Sequence, residues 1–327
     1  MLELKRKKIL VTGGSGFLGR HLLPLLLEKG AEVSCLVRDP GKIADSRVRI
    51  IKGDLADGTG LAEAVADQDA IIHMAALLFG FGWNDYLRAN SRAAENLVRS
   101  ADRASRLVFV SSLAASGPSI EGARETDPEN PVSAYGWSKL LSEKIIQSAF
   151  PDALIFRPPI IYGSGDRGLL PIFRSAGKGF APSPGLRDEF PASAIHADDV
   201  ARAIILGIKR EARGVYHLSD HETRSMNDLY RAMGEAQGVR SVKTLRLPLP
   251  LMKVAAAATG VFGKLAKSIG LASRPPQWNL DKYREAAQIG WIANTEKIAR
   301  DLDFAPEIDL RKGMAEAVAG YRAQGWL

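Results

Sequence analysis

An apolar run from Ile9 to Thr12 breaks into Gly13-Gly14-Ser15-Gly16-Phe17-Leu18-Gly19, and a second apolar run follows from Leu18 to Leu27. Glycines at positions 13, 16 and 19 permit a tight turn out of a strand, close approach of backbone N–H groups to a pyrophosphate, and close packing of the following helix. A glycine pattern in this setting, after an N-terminal strand and before an apolar helix, predicts the first turn of a dinucleotide-binding βαβ unit.

The rest of the chain keeps that rhythm. Short runs rich in Val and Ile recur at Val33 to Val37, Val48 to Ile51, Ala70 to Met74, Leu107 to Val110 and Leu154 to Phe156, separated by helical stretches. Their spacing predicts parallel strands in a doubly wound α/β sheet. With 327 residues, 46% hydrophobic and 25% charged, the chain has material for one large core or two smaller ones. Cys35, the single cysteine, lies in the Val33 to Val37 run and reads as a small buried hydrophobe in a reducing compartment. The basic N-terminal residues Lys5 to Lys8 precede no secretory cleavage pattern, and a cytoplasmic protein is expected. The net charge of +7 is spread along the chain without a dense basic block, which argues against nucleic-acid binding. Pro248 to Gly270 is long and apolar but carries Lys253, Lys264 and Lys267, so it reads as an amphipathic helix of a small second domain and not as a transmembrane segment.

Ligands of such sheets sit beyond the carboxyl ends of the strands. At the end of the second strand, where an NAD enzyme places an acid on the ribose, the chain has Val37 followed by Arg38, and the first carboxylate is Asp39. A guanidinium there can take a 2′-phosphate, so NADP(H) is favoured, with NAD(H) possible. Tyr135 and Lys139 lie four apart on one helical face, where an ammonium can lie near a phenol and favour its ionised form. That pair is a usable proton donor and acceptor for a carbonyl oxygen.

In this order the motifs resemble the extended short-chain dehydrogenase/reductase family over nearly the whole length, nearest to its 3β-hydroxysteroid dehydrogenase and dihydroflavonol reductase side. They are Thr12 to Gly19; Gly53-Asp54-Leu55; His73-Met74-Ala75-Ala76; Asn90 with Asn96; Ser111-Ser112; Tyr135 with Lys139; Arg157-Pro158; Tyr162-Gly163; and His196-Ala197-Asp198-Asp199. The resemblance implies a Rossmann-type sheet over residues 1–160, with 191–220 returning to it and 161–327 forming mainly a smaller, interleaved substrate domain. It assigns catalysis to Ser112, Tyr135 and Lys139, with Asn90 a possible fourth member of the relay. It assigns cofactor contacts to Gly13, Ser15, Gly16, Phe17, Leu18, Gly19, Arg38, Asp54, Leu55, Ala75, Ala76, Tyr135, Lys139 and Pro158. Ser112 is placed ahead of Ser111 because it stands five residues before Gly117. No metal site is expected: His73 reads as scaffold inside a strand, and Asp198 and Asp199 open a helix, where carboxylates complement the dipole. A homodimer through the helices bearing Asn90 and Tyr135 also follows from the resemblance.

The expected activity is interconversion of a secondary alcohol and a ketone on an apolar small molecule. The asparagine and arginine by which the family's nucleotide-sugar members hold their substrate are not evident in Arg157 to Ile161 or Ala192 to His196, although Arg187 could substitute. Leu77 to Trp83 and Phe180 to Pro184 could present aromatic surface to the pocket. An NAD-retaining nucleotide-sugar epimerase or dehydratase and a redox-inactive NADPH-binding regulatory protein are the competing readings.

Overall fold

In the computed structural model, which describes residues 3–186, 189–220, 222–271 and 274–327, seven parallel strands form the central sheet. They are β1 (Lys8–Thr12), β2 (Glu32–Val37), β3 (Arg49–Lys52), β4 (Ala70–His73), β5 (Arg106–Val110), β6 (Leu154–Arg157) and β7 (Gly214–His217). The order across the sheet is β7-β6-β5-β4-β1-β2-β3. The direction of winding reverses between β1 and β4, which opens a crevice at their carboxyl ends.

Both faces of the sheet are covered, so its strands are apolar without alternation. Ile9 and Val11 of β1 join one core with the helices Phe17–Glu28 and Ala197–Lys209. Leu10, one residue out of phase, joins the other with the helices Ala93–Ser100 and Ala134–Ala149. Cys35 is buried among apolar groups, which push its thiol up to about 12. A separate core centred on Tyr162, Phe173, Leu229, Met314 and Tyr321 belongs to the elements that follow β6. Arg187 lies outside the described residues.

The long helix Leu249–Ser268 forms where the apolar run Pro248 to Gly270 predicts one. Its length and composition alone would let it cross a membrane, and only 11% of its most apolar window is buried.

One buried ion pair ties the sheet to the helix carrying Tyr135 and Lys139. Arg157, at the end of β6, donates from Nη2 to Glu143 Oε2 at 2.6 Å and from Nε to Glu143 Oε1 at 3.0 Å. Both side chains are essentially without solvent access. Ser111 donates to the same carboxylate, and Ser116 accepts from Arg157 Nη1 at 3.0 Å. Glu143→Ala leaves the guanidinium buried without its main partner, and is expected to cost about 3–5 kcal/mol in urea unfolding. A loss below about 1 kcal/mol would contradict the structural weight given to this pair.

Candidate active site

The glycine run forms the turn between β1 and the helix Phe17–Glu28. Gly13 has φ 79°, and a Cβ there would meet the Ala75 amide nitrogen at 2.7 Å, so the turn is pressed against the backbone that continues β4. A Cβ on Gly19 would collide with the carbonyl of Gly14, which explains the close helix-to-strand packing. Gly16 caps the helix without a side-chain hydrogen bond, and no acidic residue occupies the first turn. Ser15, Phe17 and Leu18 surround that open N-terminus, whose amide groups and dipole suit a pyrophosphate. The residues present therefore fit a dinucleotide.

The remaining walls of the crevice come from the next strand ends. Asp54 Oδ1 accepts from Ala56 N at 2.9 Å, and Asn96 Nδ2 donates to the carbonyls of Leu55 and Ala56 at 2.8 and 3.2 Å, fixing that loop. Arg38 follows β2 directly and is exposed. Ala75 and Ala76 are half-buried, and buried Pro158 accepts from Leu113 N at 2.8 Å beside the Ser112 loop.

Ser112 follows β5, and its hydroxyl accepts from Ala114 N at 3.2 Å. Ser111 is turned into the interior toward Glu143. The Ser112 side chain lies close enough to the Tyr135 phenol to favour its ionised form. Desolvation pushes the Tyr135 phenol above its ordinary range, with Lys282 and the Ser112 side chain acting in the opposite direction, so Tyr135 holds its proton at neutral pH.

Lys139 does not stand where the helical spacing alone places it. Its ammonium donates to the Val110 carbonyl at 2.7 Å and lies 4.2 Å from the centroid of the Phe109 ring. Burial lowers it to about 7, against the pull of Glu143. The ammonium beside the phenol is instead Lys282, 4.8 Å from the centroid of the Tyr135 ring. Asn90 is likewise engaged in architecture: its amide exchanges hydrogen bonds with the backbone of Leu77 at 2.7 and 3.2 Å and donates to Ser138 Oγ at 2.9 Å. It joins the loop after β4 to the Tyr135 helix.

Sequence reasoning missed the segment that completes this site. In the helix Leu280–Ala286, Asp281 accepts from the amides of Ala134 and Tyr135 at 2.5 and 3.2 Å, at the N-terminus of the Tyr135 helix. Glu285 accepts from Ser133 Oγ at 2.6 Å and from Lys282 Nζ at 2.8 Å. Burial works against charging Lys282, but Glu285, Tyr135 and Asp281 outweigh it and raise its pKa. The available signal was the spacing of Asp281, Lys282 and Glu285 on one helical turn after the capping residue Asn279.

His73 is buried with Nδ1 2.7 Å from Thr12 Oγ1, and burial followed by the Lys139 charge lowers it to about 3, so it is neutral scaffold. His196, Asp198 and Glu316 bring one ligand atom each within 4.8 Å of one another, a grouping the sequence spacing did not reveal. In it His196 Nδ1 accepts from Asp198 N at 3.3 Å as a helix cap, and Asp198 is paired with His21 at 2.6 Å.

A family model described as "NAD dependent epimerase/dehydratase family" matches residues 9–218, which span the glycine turn, both serines and the Tyr135 helix. The chain belongs to that family. It is an NAD(P)-dependent enzyme of the extended short-chain dehydrogenase/reductase type. A "Ceramide reductase" of Caulobacter vibrioides (strain NA1000 / CB15N) is 30% identical, over 98% of this chain and 96% of that protein. A "3 beta-hydroxysteroid dehydrogenase/Delta 5-->4-isomerase" of Mycobacterium tuberculosis (strain ATCC 25618 / H37Rv) is 30% identical over 75% of this chain and 73% of its own. Among solved structures, the Bordetella bronchiseptica enzyme WbmH in complex with NAD+ has the same fold, with TM-score 0.77 and 22% identity over 97% of this chain and 99% of its own.

The position of Lys282 generates a direct prediction. Lys282→Met removes the positive charge nearest the phenol and should raise the Tyr135 pKa, whereas Lys282→Arg should leave it near the wild-type value. Ultraviolet titration of tyrosinate, with Tyr135→Phe as the blank, reads this shift. An unchanged titration in Lys282→Met would remove Lys282 from the site's electrostatics.

Proposed function

We propose that this family member is an NADP-dependent reductase that interconverts a secondary alcohol and a ketone on an apolar small molecule. The observation that carries this reading is the Tyr135 phenol, held above its ordinary pKa by burial, with the Ser112 side chain and the Lys282 ammonium beside it. Gly13, Gly16 and the open N-terminus of the helix Phe17–Glu28 hold the pyrophosphate, and Arg38 takes the 2′-phosphate. Asp54 and Leu55 line the adenine end, while Ala75, Ala76 and Pro158 wall the nicotinamide end.

When bound, the nicotinamide supplies or accepts hydride at the carbinol carbon. Ser112 orients the substrate oxygen, and Tyr135 gives it the proton in the reducing direction. Lys139 would donate to a ribose hydroxyl of the bound cofactor, and Lys282 would stabilise the phenolate that remains after proton transfer. A carbonyl on an apolar molecule agrees with the printed names of the ceramide reductase and hydroxysteroid dehydrogenase relatives. The family's sugar-nucleotide contacts are not evident in Arg157 to Ile161 or Ala192 to His196, which counts against an internally cycling epimerase.

Tyr135→Phe should lower turnover by roughly 10²- to 10⁴-fold while leaving NADPH affinity within a few-fold of wild type. Wild-type turnover in that variant would refute the proton relay, and unaltered biological activity without turnover would point to a binding-only regulator. Arg38→Ala should weaken NADPH by roughly 10- to 100-fold and NADH little. Equal losses for the two nucleotides would refute the 2′-phosphate contact. The exposed Trp137 and Leu141 on the Tyr135 helix supply an apolar face for the homodimer that the family resemblance implies.

A further inference from the structure

The helix Leu249–Ser268 turns its apolar side the wrong way for a core element. Leu251, Val254, Val261, Phe262, Leu265 and Ile269, the last just beyond its end, are 56–69% exposed. At about 100° per residue they fall on one stripe roughly 100° wide. The opposite side is the one packed on the protein. Met252 and Ala256 are its buried residues, Thr259 donates to the Trp278 carbonyl at 2.8 Å, and a Cβ on Gly263 would meet Pro276 at 2.8 Å. Lys253, Lys264 and Lys267 occupy one flank between the two faces, where their stems can lie along the apolar surface and their ammonium groups reach outward.

The segment bearing this stripe is one-sided in charge, and Asp85 is the carboxylate that reaches it from outside, 3.9 Å from Lys267. From Ala236 to Leu280 the sequence has no Asp or Glu, and it has Arg240, Lys243, Arg246, Lys253, Lys264, Lys267 and Arg274. The lysine flank borders aromatic surface. Lys267 lies 4.5 Å from the centroid of the Phe81 ring, and Trp83, 46% exposed, shares with Phe81, Asp85, Lys264 and Lys267 the lining of an open groove of about 620 Å³.

We infer that this face docks on the surface of an anionic lipid bilayer, with the helix lying in the interfacial plane. An exposed apolar stripe, lysines beside it and a tryptophan at its edge are the features by which a helix inserts one side into the headgroup boundary. The packed face of the helix holds it along the protein, so it lies on the bilayer and does not cross it. A second copy of the chain fits less well, because a two-fold contact would set the same lysines against each other with only Asp85, already 3.9 Å from Lys267, to offset them. The groove also places the docked surface near the chemistry. The loop that carries Phe81 and Trp83 begins at Phe79, 5.4 Å from Lys282 Nζ, and ends at Tyr86, whose ring packs against Tyr135. A substrate dissolved in the bilayer would meet the enzyme on the side where that loop opens.

The test is flotation of the purified full-length chain with phosphatidylcholine vesicles, with and without phosphatidylserine, at low salt. Binding to the phosphatidylserine vesicles is expected to be at least tenfold tighter than to phosphatidylcholine alone. Lys264→Glu/Lys267→Glu should reduce it by roughly tenfold or more. Phe262→Asp/Leu265→Asp should abolish it, and Phe262→Ser/Leu265→Ser provides a milder replacement if the first pair unfolds. Both sets should keep the wild-type melting temperature and NADPH affinity, which separates this surface from the active site. Failure to bind either vesicle, or equal binding to both, would overturn the inference. So would a vesicle-free light-scattering mass of two copies that Phe262→Asp reduces to one, since that result assigns the face to a second copy.

Discussion

The Arg157–Glu143 pair sets the position of everything that can do chemistry here. Glu143 lies one helical turn beyond Lys139 and two beyond Tyr135, so all three share the face turned to the sheet. Its carboxylate is held by Arg157 from β6 and by Ser111 from the end of β5. That clamp fixes the Tyr135 helix against the strand end from which Ser112 projects, which brings the Ser112 side chain to the phenol. A charge pair without solvent access tolerates little displacement, because either partner left alone would face a large desolvation penalty. The interior is thus used to give precision at the crevice.

A second constraint arrives from far along the chain. The helix Leu280–Ala286 closes over the N-terminus of the Tyr135 helix, with Asp281 on its first amides and Lys282 beside the phenol. The two lysines near the site therefore have different work. Lys139 is buried against the Val110 carbonyl and lowered to about 7, whereas Lys282 is kept charged by its acidic neighbours. Because Lys282 comes from a segment far along the chain, the electrostatics of the phenol depend on the C-terminal segment being in place.

Much of this was legible in the sequence because it is local. The glycine turn, the six expected strands and the buried setting of Cys35 each follow from a few neighbouring residues, and the structure moves strand ends by at most one position. What was illegible depends on contacts between distant segments. Tyr135 and Lys139 read as partners from their spacing, yet the Val110 carbonyl competes for the ammonium and wins. Asp281 meets residues 146 and 147 positions away, and no periodicity reports such a meeting. The helix Leu249–Ser268 was recognisable as amphipathic, but periodicity cannot say which side of an amphipathic helix faces the protein. Here the small side chains and Met252 face inward and the large apolar stripe faces out.

The proposed reductase activity and the proposed bilayer-docking face share one expectation, a hydrophobic carbonyl substrate. The most direct test of that expectation is the fate of label from NADPH carrying deuterium at the nicotinamide C4, incubated with the enzyme and a panel of long-chain and polycyclic ketones. Mass spectrometry should find one deuterium at the carbinol carbon of an alcohol product, formed over many turnovers by wild type and lost in Tyr135→Phe. No label in any product, together with stoichiometric NAD released from the denatured protein, would contradict the account and assign the crevice to a retained cofactor.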